Sequence, residues 1–191
     1  MENLEARIRS ALAQRPPLLE HDPDVSWAAV SLVLAPGPER APELLLIRRA
    51  LCERDPWSGH VSLPGGRREP ADSDLLVTAV RETWEETGLE LDRAASLGQL
   101  DDLRPRRGLP RRIAVRPFVF VLPARPVLRL SPEVAFELWT PLELLRSARA
   151  MAQVEVRGSL REESAVRIGS EVLWGMTLRI LDGFSERLGQ H

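Results

Sequence analysis

The 191-residue chain has no lysine, one cysteine and three histidines. Without lysine there is no P-loop ammonium to meet a phosphate and no Schiff-base nucleophile. His21, His60 and His191 leave a His-built metal centre or a Ser-His-Asp triad few possible members. Cys52 stands alone, which excludes a disulfide framework and a CxxC motif and fits a buried or inert thiol. Nowhere do the roughly 18 consecutive apolar residues of a membrane span occur. The opening MENLEARIRSALAQR is a charged amphipathic pattern rather than a secretory signal, so the cytoplasm is the expected compartment. A formal net charge of −2 provides no global basic field, and neither nucleic acid nor a membrane surface is an expected partner.

With 43% hydrophobic residues, the chain can form a full-sized core as one domain over 1–191. Its periodicity predicts a helix over 3–14 within a lead-in of residues 1–24, stopped by Pro16-Pro17. Apolar runs predict strands at Val25–Leu34, Glu43–Arg48, His60–Leu63, Ala95–Leu103, Ile113–Leu122 and Glu133–Thr140. PLELLRSA reads as a short helix, 152–171 as short strands, and 172–188 as a C-terminal helix. Strands and helices that alternate in this way predict an α/β fold with helices on both faces of a mixed sheet.

The stretch LPGGRREPADSDLLVTAVRETWEETGL, residues 63–89, organises the rest. Leu76, Val80 and Thr83 predict a helix, Asp72, Ser73 or Asp74 can cap it, and Gly88 ends it. At about 100° per residue, Glu82, Glu85 and Glu86 fall within one arc of that helix. Like charges at this spacing repel one another by a few tenths of a kcal/mol per pair, and the helix C-terminus disfavours them further. A divalent cation reverses both penalties, and oxygen ligands without His or Cys point to Mg²⁺ or Mn²⁺. Taken alone, the cluster also fits a solvated acidic face.

Gly66, Arg81-Glu82, Glu85-Glu86 and Gly88-Leu89 together resemble the box of the Nudix hydrolases, G-x5-E-x7-R-E-U-x-E-E-x-G-U, where U is a bulky aliphatic residue. Two positions depart from it: the early Glu is Asp72, with eight residues rather than seven before Arg81, and the first aliphatic position is Thr83. The resemblance implies an α/β/α sandwich whose box forms a loop-helix-loop. It also implies a metal-dependent hydrolase that cleaves a nucleoside diphosphate linked to another moiety. Mapped onto this chain, Glu82 and Glu86 are the expected metal ligands and Glu85 is a ligand or the base. Arg81 is expected to hold a glutamate in place. A further acid outside the box is common in the family, and Asp101, Asp102, Glu133 and Glu137 are the candidates.

Upstream, LLLIRRA and SGHVSLPGG resemble the signature of the coenzyme A diphosphatase branch, as does the late VLWGMTLRIL. Arg48 fits that signature, whereas Arg49 replaces a small residue, Arg54 and Gly59 each fall one place late, and Leu63 replaces Phe. The implied products are 4′-phosphopantetheine and adenosine 3′,5′-bisphosphate. ADP-ribose, NADH or a dinucleoside polyphosphate is the alternative substrate, and a non-catalytic nucleotide-binding domain is the lesser alternative. Gly65 and Gly66 allow close backbone approach to a phosphate. Arg48, Arg49 and Arg54 flank that turn. Arg104, Arg106, Arg107, Arg111 and Arg112 form a basic patch that suits either an arm gripping further phosphates or a solvated hairpin tip. Trp57 and His60 fit packing or contact near the site. Oligomeric state stays open, with a homodimer among the options.

Overall fold

The structure, a computed structural model, describes residues 1–52, 57–105, 113–146, 149–156 and 158–189. At its centre lies β1 (Ser26–Pro36), built from the run SWAAVSLVLAP and buried along most of its length. Alternation sends Ala28, Leu32 and Leu34 into one core and Ala29 and Val33 into another. Such two-sided burial suits a parallel neighbour. Accordingly, β1 pairs in parallel with β6 (Ile113–Val121) from Ser26↔Ile113 to Leu34↔Val121.

The other side of β1 is split. β2 (Pro42–Arg49) pairs with it only at Leu34–Pro36. Between them enter β3 (Val61–Ser62), which pairs with Ile47–Arg48, and β4 (Gly65–Arg67), which pairs with Ala28–Val30. β7 (Val134–Pro141) covers the far edge of β2, and β5 (Gly98–Gln99) covers β6. A second, antiparallel sheet has the order β10 (Glu171–Trp174), β9 (Ser159–Ile168), β8 (Ala150–Val156).

The helices take both faces of the main sheet. α2 (Leu75–Thr87) packs Leu75 and Ala79 against Ala29, Val33, Leu45, Phe118 and Phe120. α1 (Glu2–Gln14) and α3 (Gly175–Arg187) bury Ile8, Leu178, Leu181 and Phe184 on the opposite side. Each fully buried Leu, Ile or Phe contributes about 1.5–3 kcal/mol, so both cores hold the layers firmly. Among the described residues, no helix is long and apolar enough to cross a membrane.

Several expected elements change. Ala95–Leu103 shrinks to β5 plus one bridge from Leu103 to Val115. Asp92 accepts from Ala94 N to start a 3₁₀ turn, and beyond β5 the Leu18 backbone draws in Asp101 and Asp102. Pro117 is tolerated inside β6 because its missing N–H faces the short β5, where its carbonyl accepts from Leu100 N. PLELLRSA yields only a 3₁₀ turn at Leu144–Arg146. The predicted helix over 172–188 begins at Gly175, because Val172–Trp174 pairs with Ala165–Arg167 and Gly175 turns the chain at φ +66. In β7 Phe136 is exposed, as are Ala135 and Glu137 on either side of it.

Candidate active site

The helix that carries the acids starts at Asp74, whose carboxylate accepts from Val77 N, and stops at Gly88 in the left-handed region, φ 67. Asp72 is therefore not the cap. It is 4% exposed and lies in the turn before α2, where it accepts from Glu69 N and the Thr78 hydroxyl. Its main partner is Arg81, which donates from Nε at 3.0 Å and from Nη2 at 2.9 Å, a bidentate clasp. The same guanidinium reaches the Arg67 carbonyl at 3.0 Å, Glu82 at 3.0 Å and Glu85 at 2.8 Å. Arg81 thus ties the loop to two of the three glutamates. Its hydrogen bonds hold the Asp72 carboxyl well below the usual carboxylate range, with burial opposing, and raise the guanidinium in turn.

The buried face of α2 is rotated by about one residue from the expected stripe. Leu75, Thr78, Ala79, Thr83, Glu86 and Thr87 are buried, while Leu76 and Val80 are half-buried. The Thr83 departure finds its reason across the interface: its hydroxyl lies 2.8 Å from that of Ser31 on β1 and bonds the Ala79 carbonyl at 2.7 Å. Two buried hydroxyls that satisfy each other replace an aliphatic contact.

The three glutamates differ sharply in environment. The Glu85 side chain is 46% exposed, Glu82 18% and Glu86 6%. Burial pushes Glu86 up to about 7; the Gly65 N–H at 2.8 Å and Arg49 at 3.6 Å oppose this, while Glu82 and Glu133 reinforce it. Burial also raises Glu82, against the pull of Arg81, with Glu85 and Glu133 adding repulsion. Among the described residues, no three His, Cys, Asp or Glu side chains are gathered as a ready metal cage. Arg81 holds Glu82 and Glu85, whereas Gly65 and Arg49 hold Glu86. The donor set is nonetheless suited to a hard divalent cation: adjacent carboxylates, two of them raised by burial and mutual repulsion that a cation would relieve.

The glycine pair serves the protein's own atoms. Gly65, at φ +148, would place a Cβ 2.3 Å from the Ala29 carbonyl oxygen, and Gly66 would place one 2.4 Å from the Glu82 carboxylate. Only a strand without side chains can lie this close to both β1 and the glutamates. Gly65→Ala should therefore destabilise the fold by about 2 kcal/mol or more, since backbone cannot move aside. Gly66→Ala meets only the end of a flexible side chain, so it should cost under about 1 kcal/mol while displacing Glu82 and lowering turnover. Urea midpoints alongside kcat separate the two; equal stability losses would contradict this account.

Of the other acids, Asp101 binds Arg15, Arg187 and Leu18 N, and Asp102 clasps Arg116 at 2.7 Å through both oxygens. Glu137 sits in β7 opposite Ile47. The charge of Glu133 adds to the repulsion that raises Glu82 and Glu86. Arg48 pairs with Glu171 at 2.7 Å, and Arg104 with Glu20 at 2.5 Å and Asp22 at 2.9 Å. The expected phosphate grip at these two is thus already occupied by carboxylates. Arg54, Arg106, Arg107, Arg111 and Arg112 lie outside the described residues. Sequence reasoning missed Ser31, and the signal was a hydroxyl set between apolar residues in the middle of a strand.

Residues 25–161 match the family model of the NUDIX domain. A protein of Photorhabdus laumondii called uncharacterized Nudix hydrolase NudL is 31% identical over 164 residues, 84% of either chain. The mouse mitochondrial coenzyme A diphosphatase NUDT8 is 36% identical over 102 residues, 53% of this chain and 47% of the mouse protein. An uncharacterized fission-yeast protein is 37% identical over 123 residues, 62% of this chain but only 37% of its own length. Among solved structures, a MutT/nudix family protein from Enterococcus faecalis superposes with a TM-score of 0.63 over 96% of this chain and 69% of that one, at 17% identity. The NUDIX domain of Shewanella oneidensis NrtR, complexed with ADP ribose, gives 0.57 over 88% and 94%, at 16% identity. These two likenesses concern the fold.

Proposed function

Because the chain belongs to the Nudix hydrolase family and is a hydrolase of phosphorus-containing anhydrides, we propose that it cleaves the diphosphate of coenzyme A or its derivatives. The products would be 4′-phosphopantetheine and adenosine 3′,5′-bisphosphate. The observation that carries the site is the hub at Arg81: one guanidinium sets Glu82 and Glu85 against the loop that brings Gly65 to Glu86. Support for the substrate comes from the likeness to the mouse coenzyme A diphosphatase and from the upstream signature around Arg48.

Glu82 and Glu86 would hold Mg²⁺ or Mn²⁺, with Glu85 as a further ligand or the base. When bound, the cation supplies neutralisation of phosphate charge and a more acidic water. Arg81 fixes the carboxylates and does not meet substrate. Arg49, like Arg48 and Arg104, meets a carboxylate, and each would exchange it for a phosphate oxygen: Arg49 from Glu86, Arg48 from Glu171, Arg104 from Glu20 and Asp22. For proton abstraction we favour Glu133 over Asp101, Asp102 and Glu137, since its charge already reaches the cluster and the two aspartates are committed to arginines. We take residues 1–191 as one functional domain.

The test is Mg²⁺- and Mn²⁺-dependent hydrolysis of coenzyme A, acyl-coenzyme A, ADP-ribose, NADH and dinucleoside polyphosphates, with Glu86→Gln as control. Selective, metal-dependent release of adenosine 3′,5′-bisphosphate is the expected result. Turnover of ADP-ribose or a dinucleoside polyphosphate alone would keep the chemistry and discard the coenzyme A assignment.

A further inference from the structure

Glu86 turns its two oxygens to different partners. Oε2 accepts from Gly65 N at 2.8 Å, while Oε1 faces Arg49 Nη1 at 3.6 Å. The Glu86 side chain is only 6% exposed, so little water screens the pair. Position 49 is also where the upstream signature has a small residue. The chain thus sets a permanent positive charge against a carboxylate suited to a cation.

The backbone of Arg49 is firmly held. Its N–H donates to the His60 carbonyl at 3.0 Å, its carbonyl accepts from Gly59 N at 3.2 Å, and Ala50 N donates to the Glu133 carbonyl at 2.8 Å. Neighbouring strand residues point to opposite faces, so Arg48 turns to Glu171 on β10 and Arg49 to Glu86 on α2. The guanidinium end is less confined. The Arg49 side chain is 28% exposed and borders the pocket beside Gly65 and Gly66. It can therefore leave Glu86 by side-chain torsions, with the strand unmoved.

A guanidinium and a divalent cation at the same carboxylate repel each other, and burial strengthens that repulsion. Once displaced, Arg49 would turn into the pocket, where its planar fork suits phosphate oxygens. A diphosphate that takes up the guanidinium removes the competitor from Glu86 and tightens cation binding. By linkage, the cation then tightens diphosphate binding by the same factor.

We propose that Arg49 competes with the divalent cation for Glu86, and that its transfer to the substrate phosphates couples cation binding to diphosphate binding. The assignment rests on the metal-dependent hydrolase reading above and names a regulation of that same site: without a diphosphate, Arg49 keeps the cation affinity low.

Mn²⁺ binding to the substrate-free protein, titrated by electron paramagnetic resonance, tests it in wild type, Arg49→Gln and Arg49→Lys. Arg49→Gln should bind Mn²⁺ tighter by about fivefold or more, and Arg49→Lys, which keeps the charge, should lie nearer wild type. Arg49→Ala serves if the Gln variant fails to fold. The titration is repeated with saturating α,β-methylene-ADP, whose bridging carbon resists hydrolysis. The factor by which this ligand tightens Mn²⁺ binding should be smaller in Arg49→Gln, again by about fivefold or more. In turnover at saturating Mn²⁺, KM for the diphosphate should rise more than kcat falls. Unaltered or weaker Mn²⁺ binding in Arg49→Gln overturns the competition and, where turnover persists, leaves the hydrolase reading intact. Tighter binding with an unaltered ligand effect overturns the transfer to substrate. Wild-type protein that neither binds Mn²⁺ nor turns over any diphosphate overturns the hydrolase reading and this proposal together.

Discussion

Glu86→Gln should lose turnover by about 10³-fold or more while the metal-free protein becomes more stable at alkaline pH. The first effect removes a carboxylate proposed to hold the cation, whose charge stabilisation is worth several kcal/mol of barrier. The second follows from burial. Folding raises the Glu86 carboxyl from its ordinary 4.5 to about 7. Its contribution to stability is therefore fully present below pH 4.5 and is lost as the pH rises through 7. Above that, the folded protein holds a buried carboxylate that the unfolded chain would solvate. The amide carries no charge and can still accept the Gly65 N–H. In EDTA at pH 8 the variant should thus be more stable, by up to about 3 kcal/mol, and the gap should close towards pH 5. Adding Mg²⁺ should raise the wild-type Tm and barely move that of the variant. A variant less stable than wild type at pH 8 would remove burial as the origin of the shift, and full turnover would remove Glu86 from the site.

Arg81→Ala should be the most damaging substitution for the fold within the box. It strands Asp72, 4% exposed, without its bidentate partner, and breaking a buried pair from one side costs about 3–5 kcal/mol. It also releases Glu82 and Glu85, so residual folded protein should turn over poorly. Lys at this position keeps the charge but lacks a planar fork that can span Asp72, the Arg67 carbonyl and two glutamates together, so Arg81→Lys should fall between the two. The pH dependence runs opposite to that of Glu86. Asp72 is depressed below its ordinary 3.8, so its contribution is present above that pH and is lost as the pH falls through the lower folded value. Urea midpoints of wild type and Arg81→Ala should differ most near neutrality and converge below pH 3.8. A constant difference across that range would mean that the Arg81–Asp72 clasp is not the source of the loss.

The periodic stretches carried their own structure. The apolar run at 25–34, the run at 113–122, the Pro16-Pro17 stop and the Gly88 cap all rest on local rules: two-sided burial, missing N–H groups and left-handed backbone. The spacing Arg81, Glu82, Glu85, Glu86 likewise fixes which side chains share a helix face, whatever the helix packs against. Even the departures from the box were visible as letters, namely Asp72 for Glu and Thr83 for an aliphatic residue.

What those letters do was decided between segments distant in sequence. Asp72 could cap a helix or clasp an arginine, and only the path of the loop back to Arg81 chose the clasp. Thr83 became a buried hydroxyl because Ser31, 52 positions earlier, faces it across the helix–sheet interface. The glycine pair reads as a phosphate turn, and its close approach to Ala29 and Glu82 is a second demand for glycine that comes from β4 threading between β1 and β2. The three glutamates look alike in a helical projection, but burial against the sheet raises Glu86 and leaves Glu85 in solvent. Charge and spacing are local properties of a chain, whereas desolvation depends on which strand a side chain is pressed against, and the sheet order alone determined that.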